Sequence, residues 1–491
     1  MFRKSKLGFI AIAALLLAGC GGGGGDDVST DPVSSQGGGG EVADYVKVDI
    51  TDTKVVSTVD KAFKPDAKRE KMYLSVWSEV ASHELFMRVV GEFTKDFAYD
   101  PDNNVVYEFT VTFGDEFTDT ATNIAADLST APNVFGFPDD HVSILYNAGA
   151  LAELTGSNKR WAEENNVASA VSGGTINGKL YSYPQTADNG IYLYYNNDIL
   201  SLEDVASWDS IIDALKAHSE TRTDGLKSKI IFPFGNGYYN SAFFIGKDYD
   251  IEGAEPVFAY DPATTTMTTT INDERGQNAA RGMERILHTP GNADYIIDGD
   301  ADGSLAKFSN KDADGNPIVP EILVGVSGYW NVKNFVDLLG DSISATKLPT
   351  FTPVSAEGEL LPQMQMGSLA GSKQMGVLQL GAAEAQKEFF SHQIAQYLTR
   401  EDTQIKRYPL GFGPSNINAL EDPSVKEDIF LAALAEQGQF AIAQSTSVSG
   451  TFWEAAEAFG TAVVAGEYAA GTTVVDYLDA FAEAIAPENP I

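Results

Sequence analysis

The stretch Gly178-Lys-Leu-Tyr-Ser-Tyr-Pro-Gln-Thr-Ala-Asp-Asn-Gly-Ile-Tyr-Leu-Tyr-Tyr-Asn-Asn-Asp-Ile-Leu200 decides how the rest of the chain is read. Its first part, 179–183, is a short β-prone segment that Pro184 ends, because proline has no N–H to give to a ladder. Residues 185–190 are polar and turn-like. The run Ile191-Tyr-Leu-Tyr-Tyr195 is strongly β-prone until Asn196-Asn197-Asp198 stops it. Two arrangements satisfy this pattern. One is a β-hairpin with an ordinary loop. The other is a chain passing from one lobe to a second, with the polar side chains of 185–190 facing the crevice, where ligands tend to bind.

Working outward toward the N-terminus, Tyr73-Leu-Ser-Val-Trp77 predicts the first core strand. Ser82 is placed to cap a helix whose Leu85, Phe86, Val89, Val90 and Phe93 make one apolar stripe. Alternation over 105–113 predicts a second strand, 122–128 a helix, and Asn133-Val-Phe-Gly-Phe137 a third strand. This alternation predicts an α/β fold with a mainly parallel sheet flanked by helices. Such sheets take ligands outside the carboxyl ends of their strands, which puts Ser78-Glu79 and Pro138-Asp139-Asp140 on the binding side.

Toward the C-terminus, Ser207-Trp208-Asp209 opens a helix to 217. A strand at 229–234 leads into Gly235-Asn-Gly-Tyr238-Tyr239-Asn240, and a helix follows at 276–287. A strand at 322–326 has Ser327-Gly328-Tyr329-Trp330 at its carboxyl end, and Lys347-Leu-Pro349 reads as a second crossing. An amphipathic helix at 382–398 and helices near 424–437, 452–464 and 474–485 finish the chain, which has no repeat of solenoid period. Trp330, Trp453, Tyr238 and Tyr239 fall at element ends or beside glycines, places that suit a stacking platform better than a core. Trp161 and Trp208, at helix starts, are expected in packing. Glu79, Asp139, Asp140, Asp188 and Asn189 share positions at strand ends or at the crossing. Paired carboxylates are also glycoside-hydrolase machinery, and spacing in sequence does not separate the two uses.

The 491 residues exceed what one small core needs and call for two lobes plus tails. A formal charge of −36 argues against nucleic acid and disfavours anionic ligands. The single cysteine, Cys20, excludes an intramolecular disulfide and a four-cysteine zinc site. Arg3, Lys4 and Lys6 precede an apolar run at 7–18 that is too short to span a membrane, followed by Leu17-Ala18-Gly19-Cys20. The tetrapeptide resembles the bacterial lipobox, so residues 1–19 are expected to be a lipoprotein signal peptide and Cys20 the acylated, palmitate-bearing first residue. Residues 20–44 then form a flexible Gly/Ser/Asp tether.

His83-Glu84 lacks the second histidine of a zincin helix, and no Gly-x-Ser-x-Gly elbow, phosphate loop or Rossmann fingerprint occurs. No cofactor is expected. Asn310, Asp312, Asp314 and Glu321 match a calcium-loop spacing, but Pro317 and Pro320 interrupt it, and an acidic hairpin fits the segment better than a calcium site.

The run quoted at the outset also resembles the interlobe crossing of the solute-binding proteins of carbohydrate ABC importers, in the maltodextrin-binding lipoprotein group. "NVFGFPDDHVSILYNAGALAEL", "VGVSGYWNVKNF", "KLPTF", "QMGSLAG", "GFGPSNINAL" and "SGTFWEAAEAFGTAVVAG" are similar to further segments of that group, in the same order. The resemblance implies a two-lobed binding-protein fold with the ligand cleft between lobes. It implies an N-terminal lobe of 45–185 plus 345–408 and a C-terminal lobe of 186–344 plus 409–491. It implies a monomeric binding protein, not an enzyme, that passes an oligosaccharide, in particular an α-glucan, to ABC permease subunits from the outer face of the membrane. Carried over by position, Trp330, Trp453 and Tyr239 or Tyr238 would stack on sugar rings, and Glu79, Asp140, Asp188 and Asn189 would bind hydroxyls. Phe137 lies near where the group can place a tryptophan, and the acidic segment 298–316 has no counterpart in it.

Overall fold

The computed structural model describes residues 39–486 apart from 118, 249–254, 262, 263, 265 and 313. The signal peptide, Cys20 and all but the last few residues of the tether lie outside the described residues. The rest is built on two sheets. In the first, the strands run in the order Val46–Thr51, Lys54–Val59, Val105–Asp115, Lys68–Ser78, Val134–Pro138, Lys373–Val377 and Ser182–Pro184. In the second the order is Ile296–Asp298, Lys229–Phe232, Ile322–Gly328, Ile191–Asn196 and Ile343–Thr346.

Both sheets are mixed, where a mainly parallel arrangement was expected. Lys68–Ser78 runs parallel to Val105–Asp115 and Val134–Pro138, and Lys229–Phe232 runs parallel to both its neighbours. Lys373–Val377 and Ile191–Asn196 are antiparallel to theirs. The reason lies in how those strands are entered. A strand reached through a crossover helix starts at the far end of the sheet and comes out parallel. These two are entered directly from the other sheet, so they start at the cleft end.

Each sheet has its own core. In the first, helix His83–Asp96 buries Phe86, Met87, Val89, Val90 and Phe93 against Phe390, Ile394 and Leu398 of helix Ala385–Thr399. Phe390 meets Phe109 edge-on at 5.1 Å, and Trp161 packs on Tyr183 at 5.7 Å. In the second, Trp208, Phe232, Phe234 and Phe243 pack with Phe452, Phe459 and Phe481 from helices Phe452–Ala465 and Val474–Ile485. Ile322–Gly328 is buried throughout, as expected of a strand covered on both faces. Trp161 and Trp208 thus belong to packing. Ser207 caps its helix by accepting from the Ser210 N–H. Ser82 does not cap: its buried hydroxyl accepts from Arg407 Nε at 3.1 Å.

The chain passes between the sheets at 184–191. The second passage is not at 347–349. Leu348, Phe351, Met364, Met366 and Leu369 all lie in the second core, with Phe351 edge-on to Phe243 at 4.9 Å. Pro349 lies between strands Ile343–Thr346 and Thr350–Phe351 and does not end the lobe. The passage comes at Gly371, whose N–H donates to Asn189 O at 2.6 Å, so residues 345–369 pack with the second sheet. A third segment, 407–416, runs beside these two, and the Gly413 N–H donates to Asp188 Oδ2 at 2.5 Å.

Candidate functional site

The carboxyl ends of three first-sheet strands deliver Glu79, Glu116 and the pair Asp139–Asp140 to one cleft. A cavity of about 740 Å³ opens there, lined by Glu79, Glu116, Phe117, Asp119, Pro138, His141 and Lys373. Lys373 Nζ donates to Glu116 Oε1 and lies 3.6 Å from Glu79, whose other oxygen is 3.5 Å from Arg407 Nη2. Arg407 is buried with its guanidinium 4.2 Å over the Phe412 ring and 5.2 Å over Phe86. Glu116 sits over Gly136, where a β-carbon would collide with its Oε2.

Burial, then the charge of Glu79, pushes the Glu116 carboxyl up to about 7, against the pull of Lys373 and Arg407. Burial draws the Lys373 ammonium down, but the Glu116 and Glu79 carboxylates outweigh it and hold it above the ordinary lysine range. Both Glu79 oxygens, Glu116 Oε2, Asp139 Oδ1 and Asp140 Oδ1 are buried with no hydrogen-bond partner among the described residues. Polar atoms left in that condition are costly, and two of the side chains that carry them, Glu79 and Glu116, line the cavity, where a donating ligand would satisfy them.

The crossing residues hold this wall in place. Asp139 Oδ2 accepts from the Ser372 N–H at 2.9 Å and its hydroxyl at 3.1 Å, and burial raises its pKa well above the usual range. Asp188 is buried and committed to the Gly413 N–H, which makes it a hinge tie rather than a cleft-facing group. Asn189 reaches both ways: its Oδ1 accepts from the Tyr238 hydroxyl at 3.2 Å, and its Nδ2 donates to Gln444 at 3.4 Å.

The opposite wall is aromatic. The Tyr238 ring lies 6.2 Å from Trp330 and 6.1 Å from Trp453, at the carboxyl ends of Lys229–Phe232 and Ile322–Gly328 and the start of Phe452–Ala465. Trp330 is 40% exposed. Its ring folds back over Gly328, where a β-carbon would run into it. Tyr239 turns the other way, into the second core beside Phe232, so Tyr238 is the cleft residue of the pair. The two walls touch where the Tyr260 hydroxyl donates to Ser143 Oγ at 3.4 Å.

The structure therefore places Glu79 in the cavity lining with Asp140 just beyond the same strand ends, joins Asn189 to Tyr238 and Tyr238 to Trp330 and Trp453, and buries Asp188 and Tyr239. Phe137 is a core residue, and the aromatic on the first wall is Phe117, 64% exposed. Glu116 and Phe117 were legible by the strand-end argument that selected Glu79. Lys373 and Arg407 were not, because they act from crossings at Gly371 and beyond, not at Lys347-Leu-Pro349. In the acidic segment, Asp312 Oδ1 accepts from the N–H groups of Asp314 and Asn316, closing a hairpin. No group of three or more His, Cys, Asp or Glu placed to hold a metal ion occurs among the described residues.

The sequence profile of the bacterial extracellular solute-binding proteins matches residues 90–433. The chain belongs to that family. No curated protein matches this solute-binding protein in sequence. Among solved structures, a maltodextrin binding protein from L. casei BL23 is 20% identical over 85% of this chain and 99% of its own, with a TM-score of 0.63. The maltose-binding periplasmic protein of Listeria monocytogenes, in complex with maltose, is 17% identical over 86% and 100%, with a TM-score of 0.61. The Thermus thermophilus maltotriose binding protein is 16% identical over 84% and 98%, with a TM-score of 0.59. At these identities the likeness is one of fold, and it is the two-lobed fold described above. No helix among the described residues is long and apolar enough to cross a membrane.

Proposed function

We propose that this solute-binding protein captures an oligosaccharide of the maltodextrin class in the cleft and delivers it to the permease subunits of an ABC importer. It acts as a monomer held at the membrane by lipid on Cys20. The observation that carries the reading is the pairing of walls. Tyr238, Trp330 and Trp453 offer ring faces to the apolar faces of sugars, while Glu79 and Glu116, which line the cavity, offer acceptors for hydroxyls. The similar structures of maltodextrin-, maltose- and maltotriose-binding proteins support the choice of α-glucan. Binding selects the form in which both walls close on the sugar, and no bond is broken.

Calorimetry with maltose, maltotriose and longer maltodextrins, with the products assayed, tests this. Tight binding without turnover is expected. Maltodextrin cleavage by the purified protein would replace it with a glycoside hydrolase, and absence of heat with every α-glucan would discard the sugar assignment.

A further inference from the structure

The turn that carries Trp330 is pinned by Tyr194, Asp302 and Asp428, and Asp428 also reaches a segment of the other lobe. The Gly328 carbonyl accepts from the Tyr194 hydroxyl at 2.7 Å, Asn331 Nδ2 donates to Asp302 Oδ1 at 2.6 Å, and the Tyr329 hydroxyl donates to Asp428 Oδ2 at 2.7 Å. The same Asp428 oxygen accepts from the Tyr408 hydroxyl at 2.6 Å, and the Tyr329 and Tyr408 rings lie 6.4 Å apart at 28°. Asp428 is itself held. Its other oxygen caps helix Ile429–Gly438, accepting from the N–H groups of Phe430 and Leu431. Tyr329, 2% exposed, belongs to the second sheet's packing. Tyr408 is tied to the first lobe through its neighbour. Arg407 ends helix Glu401–Arg407, donates to Ser82 and pairs with Glu79, while Arg400 before that helix pairs with Glu92 of helix His83–Asp96.

We propose that Asp428 is a positioning residue of the sugar site: one carboxylate oxygen, shared by Tyr329 and Tyr408, sets the Trp330 platform against the first-lobe segment that carries Arg407. The proposal rests on the oligosaccharide reading above and adds to it a residue that acts through Trp330 rather than on the sugar. Tyr194 and Asp302 hold the turn from within its own lobe, whereas Asp428 also ties it to the lobe opposite. Such a bridge needs both ends. Loss of either hydroxyl opens it, so a second loss adds little, whereas two independent contacts would add. A ring already in place binds without the cost of being ordered, which is how a positioning contact reaches affinity.

The test measures maltotriose affinity for the unaltered protein, Tyr329→Phe, Tyr408→Phe and the two combined, and follows backbone hydrogen exchange of the sugar-free proteins by mass spectrometry. Each single variant is expected to bind about fivefold more weakly, the factor that one ordinary hydrogen bond is worth, and the combination about as weakly as either alone. Exchange should rise over 329–331 on Tyr408→Phe and stay unchanged over the strand 229–232, a difference that general loosening would not produce. Asp428→Asn keeps the helix cap through its amide oxygen, but its amide nitrogen does not accept, so it should match the combined variant. Losses that multiply, or exchange raised evenly through the second lobe, would mean ordinary packing and overturn the inference. Unchanged or tighter maltotriose binding by Tyr408→Phe overturns it too and leaves the oligosaccharide reading standing. If the unaltered protein binds no maltodextrin, that reading falls and exchange decides this one: a rise confined to 329–331 on Tyr408→Phe keeps the tie, and no rise overturns it.

Discussion

The wall from the first sheet presents Glu79, Glu116 and Lys373, whereas the wall from the second presents Tyr238, Trp330 and Trp453. The two are held in place by different means. The charged wall is fixed by long-range ion pairs, and its cations come from the crossings: Lys373 follows Gly371, and Arg407 opens the third segment. The aromatic wall is fixed locally, by glycines that let rings and backbone approach, as at Gly328 and at Gly237 against Ala456. Damage to the first wall should therefore reach the whole fold and hinge, while damage to the second should stay with the ligand.

Arg407→Ala is the strongest way to break that contrast. It leaves Glu79 with Lys373, already shared with Glu116, as its one remaining cation and removes the guanidinium that lies over Phe86 and Phe412, so urea unfolding should report a loss of about 3 kcal/mol or more. A loss below about 1 kcal/mol, the scale of a surface pair, would mean that the charged wall is not structural. Trp330→Ala should do the opposite. It should weaken sugar binding by about 2 kcal/mol, as for an aromatic anchor, with little change in the urea midpoint. Unchanged affinity would remove Trp330 from the site.

A pH series sharpens the comparison further. Glu116 has a folded-state value of about 7 against an ordinary 4.5, so the folded form holds its proton where the unfolded chain has lost it. Its contribution to stability is therefore greatest below 4.5 and falls as pH rises toward 7, the reverse of a salt-bridged carboxylate. The neighbours that share its field are Glu79, Lys373, Arg407 and His141. The difference between wild type and Glu116→Gln across that window isolates the effect, and a difference independent of pH would contradict it. The smallest expected change is at Tyr238. Tyr238→Phe loses one hydrogen bond to Asn189 and should weaken binding by about 1 kcal/mol, whereas Tyr239→Phe, behind the wall, should leave affinity alone.

The aromatic wall was legible in the sequence because its signals are local. Trp330 follows a β-prone run and a glycine, and Tyr238 follows Gly-Asn-Gly, so strand ends could be read directly. The charged wall was half legible. Glu79 and Asp140 lie at strand ends, but Lys373 and Arg407 act from crossings whose positions depend on which core takes the intervening segment. Nothing in Lys347-Leu-Pro349 says that Leu348 is buried in the second core and that the chain returns only at Gly371. The mixed sheets were missed for the same reason, since strand direction depends on which sheet the chain has just left. Asp188 and Tyr239 were assigned to the cleft because residue type and spacing do not reveal which way a side chain turns. Burial decides that, through Gly413 for one and Phe232 for the other.

The central claim is that a sugar sits between a charged wall and an aromatic one. A crystal structure of the complex with maltotriose tests it most directly. The account predicts ring faces on Trp330 and Tyr238 and hydroxyls donating to Glu79 and Glu116. Maltotriose bound elsewhere, or bound in the cleft with its ring faces away from these aromatics, would contradict it.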